Sequence, residues 1–146
     1  MDNKLNVDKI SPAALTADTA AIWMATYEVG NPAFRGKTIV AIHSSGQVLV
    51  SRQQGEKTAS FSANMSAVKL EQMLSFLKDN FYSIDDKNER LGKPDEVQIF
   101  ISLEIEGQKQ QRKIWYDEIW KDQKLKKVNS FFIELASDVS HGEIKY

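Results

Sequence analysis

The chain has 146 residues, with nineteen Lys and Arg against twenty Asp and Glu, for a net charge of -1. That balance excludes a globally basic nucleic-acid binder and an acidic disordered tail. No apolar run approaches the roughly 20 residues of a membrane span. The absence of cysteine excludes a disulfide framework and thiolate metal sites.

Residues 1–19 show no firm periodicity and read as an N-terminal arm, with a short helical turn after Ser11-Pro12. Asp2, Asp8 and Asp18 interrupt any apolar stretch, so no secretory signal is read there. The expected location is cytoplasmic, with a periplasmic or secreted mature form as the alternative. Residues 20–146 read as one domain.

Strand signals come first. Residues 21–29 alternate Ile22, Met24 and Thr26 with Trp23, Ala25 and Tyr27, and Gly30-Asn31-Pro32 ends the run. Residues 37–43 and 47–53 form a hairpin about Ser44-Ser45-Gly46, and 57–63 returns after Gln54-Gly55-Glu56. Helical spacing follows. Leu70, Met73, Leu74, Leu77 and Phe81 share one face of a helix expected over 66–80, capped by Asn64 or Ser66.

A polar loop at 83–96 leads to the clearest strand, 96–107. There Val97, Ile99, Ile101, Leu103 and Ile105 alternate with Gln98, Phe100, Ser102 and Glu104. Residues 111–118 are its expected hairpin partner. A second helix over 122–139 carries Leu125, Val128, Phe132, Leu135 and Val139, with Gly142 as its stop. The tail at 142–146 reads as a candidate edge strand. The fold class is therefore α+β: a mostly antiparallel sheet in the order β-β-β-β-α-β-β-α, with both amphipathic helices packed on one face.

Catalytic motifs find little support. Gly36-Lys37-Thr38 ends like a phosphate loop, but the required earlier glycine position is Asn31, and a strand follows instead of a helix. Ser66-Ala67-Val68-Lys69 has serine acyl-enzyme spacing without companion elements, so Ser66 reads as a cap. Asp85, Asp86, Asn88, Glu89, Asp95 and Glu96 fail calcium-loop spacing because Arg90 and Leu91 take the fifth and sixth places. His43 and His141 are isolated in sequence. No catalytic residue, metal or cofactor is expected.

The most distinctive segment is 109–127. Lys109, Arg112, Lys113, Lys121, Lys124, Lys126 and Lys127 surround Trp115, Tyr116 and Trp120, with Asp117, Glu118 and Asp122 interleaved. Adjacent strand residues point to opposite faces, so Trp115 and Tyr116 divide between them. If Phe100 or Trp23 joins one of these on an open face, an aromatic binding patch results. Trp115, Tyr116, Arg112, Phe100 and Trp23 are the candidate binding residues.

The expected function is a non-catalytic protein-binding module of inhibitor, immunity or adaptor type. In size, charge and layout the chain resembles the many small bacterial immunity and uncharacterised α+β domains. The alternative is a small-molecule binder or small enzyme with a pocket on the sheet, using His43, Arg52, Glu104 and Arg112. Single-stranded nucleic-acid binding through 109–127 is a third reading. The expected partner is another protein and not a membrane. An unpaired edge at 57–63 or 21–29 would support a homodimer.

Overall fold

A computed structural model describes residues 22–31, 36–84 and 97–144. The arm at 1–19, the acidic positions of the 83–96 loop and the last two residues lie outside them. Six strands form one antiparallel sheet: β1 (Trp23–Asn31), β2 (Gly36–His43), β3 (Gln47–Gln54), β4 (Lys57–Asn64), β5 (Gln98–Ile105) and β6 (Gln108–Trp115). The spatial order is β4-β3-β2-β1-β5-β6. Helix α1 (Ala67–Phe81) separates β4 from β5, and α2 (Gln123–Val139) closes the chain. The expected α+β class and element order hold, with both helices on one face of the sheet. None of the described helices is long and apolar enough to cross a membrane.

The strands are built from local turns. Gly46 adopts φ +108° in the β2–β3 loop, where its N–H reaches His43 O at 2.9 Å. Its carbonyl accepts from Met65 N at 2.7 Å, tying this hairpin to the end of β4. Glu106 and Gly107 both have positive φ, the backbone of a two-residue hairpin whose twist matches the flanking strands. The helices have matching signals. Ser66 Oγ accepts from Lys69 N at 3.1 Å, and Asp122 Oδ1 accepts from Lys124 N and Leu125 N at 3.0 and 3.2 Å.

The core lies between the helices and one face of the sheet. Trp23, Ala25, Tyr27 and Val29 of β1 bury there with Val40 and Ile42, Val48 and Val50, and Ile99, Ile101 and Leu103. From the helices come Met73, Leu77 and Phe81, then Leu125, Val128, Phe132 and Leu135. Each Val, Leu, Ile, Met or Phe among them contributes roughly 1.5–3 kcal/mol on burial. An aromatic run ties the layers together. Phe76 of α1 stacks on Phe131 at 5.0 Å, Phe131 meets Phe132 edge-on at 5.1 Å, and Phe132 stacks on Tyr27 of β1 at 5.0 Å.

Three sequence expectations are corrected. The expected strand at 111–118 occupies Gln108–Trp115 instead, and Tyr116–Lys121 is a 3-10 turn. Tyr116 N–H closes the ladder on Val97 O at 2.9 Å, and the turn carries Ile119 into the core. The tail contributes no strand over its described residues. Gly142 N–H bonds Ser137 O at 2.8 Å, and Ile144 is buried with its N–H on Ser140 Oγ at 2.9 Å. Finally, 21–29 is not an edge. β1 pairs β2 on one side and β5 on the other, which makes it a central strand.

Candidate binding face

Strand registers place the outward side chains of the sheet in rows. One row runs Ser62, Leu49, Ala41, Thr26, Ser102, Gln111 from β4 to β6. The next is Ser60, Ser51, Ile39, Glu28, Phe100, Lys113, and beyond it Thr58, Gln53, Lys37, Gly30, Gln98, Trp115. On the other side of the first row, His43, Met24, Glu104 and Lys109 line up across β2, β1, β5 and β6. Both helices pack on the opposite side. At about 4.8 Å between strands, six strands give a face about 24 Å wide.

This face mixes apolar anchors with small polar groups. Leu49 is 47% exposed and Met24 39%, while Ile39, Phe100 and Trp115 are half-buried. The Lys113 ammonium lies 5.8 Å from the centre of the Phe100 ring. Lys37 Nζ pairs with Glu28 Oε2 at 3.5 Å, and the hydroxyls of Thr26 and Ser102 hydrogen-bond each other. Gly30 is bare for a steric reason. A Cβ there would lie 2.6 Å from Gly36 O. An open depression of about 360 Å³ is lined by Thr26, Glu28, Ile39, Phe100, Ser102, Lys109 and Gln111.

The five residues singled out from sequence separate. Phe100 and Trp115 share the open face as diagonal neighbours, since Phe100 pairs with Lys113 and Gln98 with Trp115. Trp23 has the opposite parity on β1 and is only 5% exposed, within the core. Tyr116 begins the 3-10 turn and packs against the core. Arg112 points to the helix side, where its Nε donates to Ile84 O at 2.5 Å and its guanidinium lies 4.9 Å from the Phe81 ring centre. It holds the exit of α1 against β6. Met24, Ile39 and Leu49 were missed. Their signal was present: 21–29, 37–43 and 47–50 place apolar residues at both strand parities, so each run must show an apolar side to each face.

The basic, aromatic segment 109–127 likewise does not form one strip. Lys109, Lys113 and Trp115 belong to the open face. Trp120, 66% exposed, sits on the 3-10 turn with Lys126 Nζ 5.6 Å from its ring centre. Lys121 pairs with Glu118 at 3.1 Å. The local field is therefore mixed.

The polar residues considered for a sheet pocket do not converge either. His43 and Glu104 flank Met24 on the open face, whereas Arg52 and Arg112 have helix-side parity on β3 and β6. His43 Nδ1 accepts from Ser45 N at 3.1 Å and meets Ser45 Oγ at 2.9 Å, so the ring completes its own hairpin. Among the described residues, no group of three His, Asp or Glu side chains is placed to hold a metal ion. Comparison with protein-family models and with curated proteins finds no match for this chain.

Proposed function

We propose that the protein is a non-catalytic binding module of inhibitor, immunity or adaptor type. It engages a partner protein through the open face of the sheet. The observation that carries this reading is the row pattern of that face. Met24, Ile39, Leu49, Phe100 and Trp115 spread across five strands on the side away from both helices. A face about 24 Å wide and four residue rows deep is on the order of 650 Å², toward the roughly 800 Å² per partner of a stable interface. Trp is among the residues that dominate interface energies, and aromatic residues and Met are enriched at interface cores.

Charge favours a protein over nucleic acid. The face carries Lys37, Lys109 and Lys113 against Glu28 and Glu104, and Lys37 is already paired with Glu28. A surface that binds nucleic acid through phosphates needs a concentrated positive field. The test is binding to an identified partner after Leu49→Lys and Phe100→Lys, with affinity and folding measured together.

The depression at Thr26 and Ser102 supports a second reading, a small polar ligand. Its volume of about 360 Å³ falls at the low end of small-molecule sites. A thermal-shift screen checks it, since a ligand that binds only the folded chain raises Tm.

A further inference from the structure

Among the described residues, the two edges of the sheet differ in kind. β6 carries Lys109, Arg112 and Lys113, the usual device against edge-to-edge pairing. β4 has no charge and no proline from Thr58 to Asn64, in the run Thr-Ala-Ser-Phe-Ser-Ala-Asn. Its register with β3 is unbroken from Gln47↔Asn64 to Gln54↔Lys57, so no bulge turns the edge away. Phe61, at the middle of this strand, packs against the core yet stays half-buried. Strand, edge and ring are thus prepared for a neighbour.

We infer that β4 pairs antiparallel with β4 of a second copy, about a two-fold axis normal to the sheet, to give one sheet of twelve strands. Such an axis keeps both open faces on one side. Paired residues must then share a face, so their numbers sum to an even value. The register centred on Phe61 meets this condition and covers its ring. Phe61 faces its own copy, Ser60 faces Ser62, Ala59 faces Ala63, and Thr58 faces Asn64.

Lys57 falls outside the paired segment at both ends, so no like charges oppose. Pairing β6 with β6 instead brings its cations together. Pairing β4 with β6 leaves a free edge on each side and grows an open filament rather than a closed dimer. This inference uses the edge and not the open face, so it stands or falls separately from the proposed function.

A seven-residue strand pair buries less than a standard interface, so weak association is expected, with a Kd on the order of 1–100 µM. Sedimentation equilibrium of the full chain across that range is expected to show a monomer–dimer equilibrium. Ser60→Lys with Ser62→Lys places lysines opposite one another and is expected to raise Kd by roughly tenfold or more. Both positions are exposed, so circular dichroism and Tm, measured at concentrations below the dimerisation range, are expected to stay at wild-type values.

The chain has no cysteine, so single cysteines report the register directly. A mixture of S60C and S62C chains is expected to cross-link under mild oxidant, and S60C alone is not. Four results would each overturn the inference: a monomer throughout, a dimer indifferent to the lysines, self-cross-linking of S60C in preference to the mixture, or oligomers that lengthen with concentration.

Discussion

The Tyr27 hydroxyl donates a 2.6 Å hydrogen bond to Asn129 Oδ1, joining the central strand β1 to α2 across 102 residues of sequence. Both residues are buried, and Tyr27 also stacks on Phe132 one turn along the helix. This pair fixes which face of the sheet α2 covers. The other face, with Phe100 and Trp115, is left for a partner in the proposed function.

Tyr27→Phe removes the donor and strands a buried amide oxygen. The expected cost is about 1–3 kcal/mol of folding stability, read as a lower denaturant midpoint at unchanged slope. Partner affinity of the folded fraction is expected to stay at the wild-type value.

Trp23→Ala separates burial from surface display among the tryptophans. Trp23 lies in the core, so its truncation is expected to cost about 3–5 kcal/mol in a chemical denaturation series. Trp120→Ala, at an exposed position, is expected to change stability by less than about 0.5 kcal/mol.

Arg112→Ala is expected to act on the fold. It removes the charged donor to Ile84 O and the cation over Phe81, at an expected cost of about 1.5–3 kcal/mol. Hydrogen exchange localises the effect: amides at the end of α1 and at Ile84 are expected to lose protection. Arg112→Lys is expected to recover only part of the loss, because an ammonium lacks the planar guanidinium that both bonds a carbonyl and lies over a ring.

Ser66→Ala removes the α1 cap. The Lys69 N–H loses its acceptor, and thermal unfolding is expected to report a loss of about 1 kcal/mol.

Local chemistry made most of the fold legible in the sequence. Alternation marked β5, the helical stripes of Leu70 to Phe81 and Leu125 to Val139 marked both helices, and Gly46 marked the first hairpin. The pairing of β1 with β5 was not legible, because it depends on α1 passing beneath the sheet and no local pattern encodes that. The same gap made β1 look like an edge. For the site, parity along β5 and β6 decided that Phe100 and Trp115 meet on one face. Arg112 looked like an anchor by residue type. Its role in holding the α1 exit appears only when β6 and Ile84, 28 residues apart, come together. Asn129 was hidden for a similar reason: a polar residue in an apolar helical stripe shows no partner until Tyr27 is above it.

The most direct test of the open-face account is a capture experiment from native-host lysate followed by titration of the identified partner. It compares wild type, Leu49→Lys/Phe100→Lys and Arg112→Ala, each checked for folding. The account predicts one stoichiometric protein held by wild type and by folded Arg112→Ala at high salt. The double lysine variant is predicted to bind it more weakly by over ~2 kcal/mol, about thirtyfold in Kd. A partner bound equally by the double variant, or capture of nucleic acid alone, would contradict it.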